Sequence, residues 1–156
     1  MSVVLAGAQD TQGAGRRLAT VLRPGDLVLL DGPLGAGKTT FTRGLAEGLG
    51  VRGPVTSPTF VIARRHPSLV GGPALVHVDA YRLSCADDLY DLDLEAEMTD
   101  AVTVVEWGRD RAEGLGESRL EITFDRTTED RFVTVAAVGT RWDSVDVEGL
   151  LAGAIA

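Results

Sequence analysis

Asp26-Leu27-Val28-Leu29-Leu30-Asp31-Gly32-Pro33-Leu34-Gly35-Ala36-Gly37-Lys38-Thr39 is the stretch that decides the fold. Asp26 to Asp31 is a short, nearly continuous apolar run, as expected of a strand buried on both faces. Gly32 to Thr39 then matches the pattern G-x-x-x-x-G-K-[ST], with a strand feeding it and a helix leaving it. The residue types follow from the task. Successive backbone N–H groups must wrap an anion, and Cβ atoms would crowd that turn, hence Gly35 and Gly37. The helix N-terminus adds its positive end. Lys38 is expected to reach the β- and γ-phosphates of a nucleotide, and the Thr39 hydroxyl to ligate Mg²⁺. The stretch therefore predicts a P-loop that holds Mg-ATP.

Outward from the loop, Lys38–Leu49 reads as a helix with Phe41, Leu45 and Leu49 on one face. Gly44 and Gly48 inside it cost helix propensity, which points to close packing against a neighbour, and Gly50 suits the C-cap. Upstream, the pattern predicts a helix from Asp10 to about Leu22, with Asp10 as N-cap and Leu18, Ala19 and Leu22 on one face. Downstream it predicts strands over 59–64, 74–79 and 102–106, with a turn over 65–72. One or two short helices are expected in the acidic segment 86–98. Residues 119–125 and 132–138 alternate and predict an antiparallel hairpin, followed by a closing helix over 143–155. No repeat or linker divides the chain, so 1–156 is expected to be one domain: a P-loop NTPase-like α/β domain with a mixed central sheet flanked by helices.

Composition narrows the function classes. The chain has 156 residues, 44% hydrophobic and 24% charged, as an ordinary globular domain does. No run approaches the roughly 18 apolar residues of a membrane span, and the first residues lack the basic start of a signal peptide. The single cysteine, Cys85, excludes an internal disulfide, and a reducing, cytoplasmic location is expected. A formal charge of −8 argues against unaided binding to RNA. Of the 15 basic residues Lys38 is the only lysine, placed where a compact ammonium on a flexible stem matters most.

Mg²⁺ on such a loop needs a carboxylate besides the threonine, usually at a strand end on the same sheet edge. Asp31, Asp79 and Glu106 each close an apolar strand. Asp31 reads better as a strand-end turn residue. Asp79 and Glu106 are equally good by pattern, and which of them meets the metal directly stays open. Trp107, after Glu106, either packs on the sheet edge or sits beside the nucleotide. His66 and His77 read as surface or satisfied structural residues. Thr56 to Thr59 and Phe60 either sense the γ-phosphate as a switch loop does or form a plain turn on Ser57-Pro58.

Taken together, GPLGAGKTTFTRGLAEGLG (32–50), VTSPTF (55–60), HVDAYRL (77–83) and VVEWG (104–108) resemble the TsaE (YjeE) family, over about residues 10 to 108. The resemblance implies the ATPase component of bacterial tRNA threonylcarbamoyladenosine biosynthesis. Such a subunit acts with TsaB and TsaD; TsaD modifies the adenosine next to the anticodon, so the tRNA is met only through the complex. It implies a P-loop α/β fold, with ATP and Mg²⁺ as ligands. Carried over, Lys38, Asp79 and Glu106 are the catalytic set, and Thr39, Glu106 and Asp79 the metal set. Gly32, Gly35, Ala36, Gly37, Lys38, Thr39 and Thr40 would hold the nucleotide, with Trp107 beside it and the region of Thr11 by the adenine. Pro33, Ala80 and His66 depart from the family's usual residues, outside the phosphate logic. Two other classes remain: a small-metabolite kinase, which would need an acceptor pocket and an arginine-bearing lid, and a nucleotide-sensing adaptor without turnover. Arg82 is the nearest candidate for a catalytic arginine, and a structural salt bridge is an equal reading of it.

Overall fold

The computed structural model describes residues 2–33, 35–55, 63–80, 94–107, 112, 115–125 and 131–153. Leu34, the 56–60 loop, Arg82, Cys85 and the greater part of 86–98 lie outside them. In chain order the described elements are β1 (Ser2–Leu5), α1 (Ala8–Ala19), β2 (Leu27–Asp31), α2 (Lys38–Leu49), β3 (Ala63–His66), β4 (Ala74–Asp79), α3 (Leu94–Met98), β5 (Ala101–Glu106), β6 (Arg119–Asp125), β7 (Arg131–Val138) and α4 (Val147–Ala152). A 3₁₀ turn at Thr140–Trp142 precedes α4.

The strands form one seven-stranded sheet in the order β1-β7-β6-β2-β5-β4-β3. Its centre, β6-β2-β5-β4, is parallel, and β7, β1 and β3 extend it antiparallel at the two flanks. The mixed sheet flanked by helices is the α/β, P-loop NTPase-like architecture expected from the sequence. Central strands of such a sheet are covered on both faces and must be apolar throughout. Leu27 to Leu30 and Ala101 to Glu106 are accordingly all buried. Strand β6, next to the antiparallel flank, alternates buried and half-buried residues.

One face carries α1, α2 and α4, with Leu18, Phe41, Leu45 and Leu151 packed on Val28, Leu30, Val104 and Ile122. Phe41 meets Phe124 edge to face at 5.7 Å. Met98 and Leu115 cover Leu29, Val76, Val78 and Val105 on the other face. The α1–α2 crossing is unusually close. A Cβ on Gly44 would lie 1.8 Å from the Gln12 carbonyl oxygen, and one on Gly15 would lie 2.2 Å from that of Phe41. The glycines that weaken α2 as an isolated helix let the two backbones touch, so the packing expectation holds.

Several elements differ from the sequence reading. Helix α1 starts at Ala8, and Gly7, not Asp10, is its N-cap. Asp10 instead accepts a hydrogen bond from the Ala6 backbone N–H at 3.2 Å, so it serves the first turn from inside. The helix ends at Ala19, and the chain leaves in tight turns, Val21 N–H to Leu18 and Leu22 N–H to Ala19. Arg65 and His66 belong to β3 rather than to a turn. The closing helix is shorter than 143–155: Asp146 caps it through the Gly149 N–H, and Gly153 ends it at φ 76°. Strand β1 was not anticipated; it pairs with β7 from the far end of the chain.

Candidate nucleotide and metal site

Ligands of open parallel sheets bind beyond the carboxyl ends of the strands. Here β2, β4 and β5 end side by side: Asp79 and Leu30 are both register partners of Glu106, and Asp31 lies one residue further. Leu75 packs on the α2 face of the sheet, while Val76 and Val78 pack on the other. Alternation therefore turns His77 and Asp79 towards α2.

The loop between β2 and α2 depends on glycine. Gly32, Gly35 and Gly37 have φ of 140°, 76° and 113°, values that residues with a Cβ rarely adopt. At Gly32 a Cβ would also meet the Phe124 carbonyl oxygen at 2.5 Å. Gly37 is the N-cap of α2 and accepts from the Phe41 N–H at 2.8 Å. Ala36 is buried, and its N–H donates to the Pro33 carbonyl at 3.2 Å. The helix that follows presents its first N–H groups and its positive end towards the loop.

Lys38 folds back over this loop. Its ammonium donates to the Gly32 carbonyl and, at 3.4 Å, to that of Pro33. It also lies 3.5 Å from the centroid of the Trp107 ring. Burial pushes its pKa below the usual lysine value, and the charges of Glu106, Asp31 and Asp79 oppose that shift. Three carboxylates thus face one ammonium.

Glu106 is the most enclosed of the three, at 4% exposure. Its Oε1 accepts from the Thr39 hydroxyl at 3.3 Å. Its Oε2 lies 2.5 Å from Nε2 of His77, a side chain wholly removed from solvent. Trp107, next in the chain, is the one non-glycine residue with positive φ among the described residues, at 63°. A bulky residue there is strained by about 1–3 kcal/mol. The turn is held from both sides, by Trp107 N–H to Leu30 O at 2.7 Å and Ala80 N–H to Glu106 O at 2.9 Å.

The structure therefore brings Lys38, Thr39, Glu106 and Trp107 together, with Asp79 beside Glu106 in register. Thr40 is the third residue of α2, half-buried. Thr11 is buried, and its hydroxyl donates to the Gly7 carbonyl at 2.9 Å, in the first turn of α1. His77, read from the sequence as a surface or satisfied structural residue, is buried, and its Nε2 partners the carboxylate of Glu106. The usable signal was the H-x-D spacing: in a strand, residues two apart share a face, so a histidine two before Asp79 belongs to the same site. His66 is structural. Its Nδ1 lies 3.0 Å from the Arg52 carbonyl, and burial pushes its pKa down.

The donors suit a hard divalent cation. A hydroxyl and carboxylate oxygens are what Mg²⁺ selects, and it binds through one or two protein oxygens plus phosphates and water.

Comparison with known proteins identifies the family and the fold. The family model described as threonylcarbamoyl adenosine biosynthesis protein TsaE matches residues 5–133. The chain is 61% identical over 145 residues to the tRNA threonylcarbamoyladenosine biosynthesis protein TsaE of Streptomyces coelicolor, covering 89% of this chain and 97% of that one. It is 40% identical over 137 residues to the protein of the same name from Bacillus subtilis, covering 86% and 84%. The crystal structure of Bacillus subtilis YdiB superposes with a TM-score of 0.72 at 32% identity, covering 92% of this chain and 88% of that one.

Proposed function

The chain belongs to the TsaE family of threonylcarbamoyl adenosine biosynthesis proteins, and on that premise we propose that it is the Mg²⁺-dependent ATPase of tRNA threonylcarbamoyladenosine formation. It works with TsaB and TsaD in the cytoplasm and meets tRNA only through that complex. The observation that carries the ATPase reading is the contact between Thr39, the hydroxyl residue of the phosphate loop, and the buried carboxylate of Glu106. In this reading the loop from Gly32 to Gly37 and the first turn of α2, Lys38 to Thr40, cradle the phosphates. Lys38 supplies a mobile positive charge to the β- and γ-phosphates. A phosphate gives that ammonium a charge-assisted partner, stronger than the neutral carbonyls of Gly32 and Pro33. Thr39, Glu106 and Asp79 hold Mg²⁺, which offsets charge on the transferred phosphoryl group when bound. Trp107 covers the phosphate side of the nucleotide, and the region of Thr11 lies by the base.

Phosphoryl transfer to water requires mostly positioning and fixed charge, and the strand ends provide both. The acidic chain, at −8, fits a subunit that meets proteins rather than RNA directly. No helix among the described residues is long and apolar enough to cross a membrane.

The test is ATP hydrolysis by the purified chain with and without Mg²⁺, alone and mixed with TsaB and TsaD. Slow, Mg²⁺-dependent turnover that rises with the partners is the expected result. Turnover near 10 per second by the isolated chain, typical of a metabolic enzyme, or indifference to the partners would reject the reading.

A further inference from the structure

Glu106 is engaged on both oxygens, Oε1 by the Thr39 hydroxyl and Oε2 by His77 Nε2. The other ring nitrogen, His77 Nδ1, is buried and has no hydrogen-bond partner among the described residues. A neutral imidazole carries one N–H, and a buried N–H without an acceptor is costly. The proton therefore belongs on Nε2, where it donates to Glu106. The ring has little freedom, because the side chain is wholly buried on β4, a strand paired with β5 on one side and β3 on the other.

We propose that His77 is a positioning residue that holds Oε2 of Glu106, leaving Oε1 beside Thr39 as the one oxygen turned to the metal, and so sets the preference of the loop's metal site for Mg²⁺ over Ca²⁺. This rests on the reading of Thr39 and Glu106 as metal residues. Ca²⁺ takes six to eight oxygens and readily accepts a carboxylate on both, whereas Mg²⁺ is smaller and keeps several waters. With Oε2 committed to His77, Glu106 offers only Oε1 at the face of Thr39. Without the donor, the carboxylate is free to turn and present both oxygens. Groups that orient a metal-binding side chain from behind contribute about 10- to 100-fold in affinity or activity.

The experiment measures ADP binding by isothermal titration calorimetry across MgCl₂ and CaCl₂ series. The samples are the unmodified chain, His77→Phe, His77→Gln and Glu106→Gln, each checked for fold by circular dichroism. His77→Phe fills the space without a donor, and His77→Gln returns an N–H near the position of Nε2. The MgCl₂ midpoint is expected to rise about tenfold in His77→Phe, with the Mg²⁺-over-Ca²⁺ preference reduced, and His77→Gln to restore both. A folded His77→Phe with unchanged midpoint and preference overturns the proposal. Glu106→Gln separates the two readings. If it leaves the Mg²⁺ dependence intact, the metal-site reading itself falls; if it disturbs it while His77→Phe does not, only the role of His77 falls. Should His77→Phe not fold, the tautomer decides on the unmodified chain. The chain has two histidines, so ¹⁵N NMR, assigned with His66→Gln, distinguishes them. An Nε2–H form of His77 supports the proposal, and an Nδ1–H form overturns it, since no donor would then face Glu106.

Discussion

The Lys38 ammonium sits 3.5 Å from the centre of the Trp107 ring and is hydrogen-bonded to the carbonyl of Gly32. Both interactions hold the charge over the loop that a phosphate is proposed to fill. A cation over an indole is worth about 0.5–2 kcal/mol, less than a charge-assisted bond to phosphate, so nucleotide should draw Lys38 off the ring. The intrinsic fluorescence of Trp107 is then expected to change as ADP is titrated. The second tryptophan, Trp142, is buried under Arg141 at 4.2 Å and serves as an internal reference. Trp107→Phe should remove the change and Trp142→Phe should keep it. A response that survives Trp107→Phe would sink the assignment of Trp107 to the nucleotide side.

Elements with a continuous or periodic buried face were readable from the sequence. Helix α2 and strands β4 and β6 have the bounds expected for them. Edge elements were not. Strand β1 has four residues, and its partner β7 starts more than 100 residues later, so nothing local announces it. In β3 the paired residues include exposed Arg64 and Arg65, which break any alternation. The site divides in the same way. The loop and the strand-end acids follow from local chemistry. The H-x-D spacing puts His77 on the face of Asp79, but its contact with Glu106 needed the register of β4 against β5, which is a property of the sheet rather than of either strand.

Lys38→Ala should weaken ATP binding about 10- to 100-fold, as expected for loss of charge-assisted hydrogen bonds of 1.5–3 kcal/mol, and remove hydrolysis. Equilibrium dialysis with ATP measures the first and phosphate release the second. The fold should persist, because among the described residues the ammonium donates to the loop carbonyls of Gly32 and Pro33 and the substitution adds no atoms. Unchanged affinity would mean that the ammonium does not leave Gly32.

Asp79→Asn and Glu106→Gln are expected to impair turnover more than binding. Each keeps the shape of the strand end and removes one charge from the group of three around Lys38. Hydrolysis should fall about 100-fold or more, the scale of losing a positioned acid–base or charge-stabilising group, while ATP affinity changes much less. Single-turnover phosphate release set beside dialysis separates the two quantities. Normal turnover in both variants would remove the strand-end acids from the chemistry.

Gly44→Ala tests the helix crossing that holds the loop helix in place. The added Cβ would sit 1.8 Å from the Gln12 carbonyl oxygen and 2.9 Å from its Cα, backbone atoms that cannot swing away. The helix-propensity gain of roughly 1 kcal/mol is far smaller than the cost of parting α1 from α2. Net destabilisation of about 3 kcal/mol, at the upper end of overpacking effects, should lower Tm by roughly 6–12 °C for a domain of this size. Gly72→Ala is the control, since its Cβ would meet only the Ser68 hydroxyl at 3.8 Å. Equal melting of the two variants would contradict the close crossing.

Arg141 fastens the far side of the sheet to the start of β2. Its Nε and Nη2 donate to the two carboxylate oxygens of Asp26 at 2.9 and 3.0 Å, and Nη2 also donates to the Val21 carbonyl at 2.6 Å. Asp26 is 7% exposed and in turn accepts from the Arg23 N–H at 2.7 Å. Removing one partner leaves a buried charge without its counterion, which costs about 3 kcal/mol or more, whereas removing both is often nearly neutral. Arg141→Met should therefore lower stability to urea by about that amount. Asp26→Asn placed on top of it should recover part of the loss, because the neutral amide no longer needs a cation. The coupling between the two sites, read from the double-mutant cycle, should exceed 1 kcal/mol. Additive losses would mean that Arg141 acts through its packing on Trp142 and its bond to Val21 rather than through the charge of Asp26.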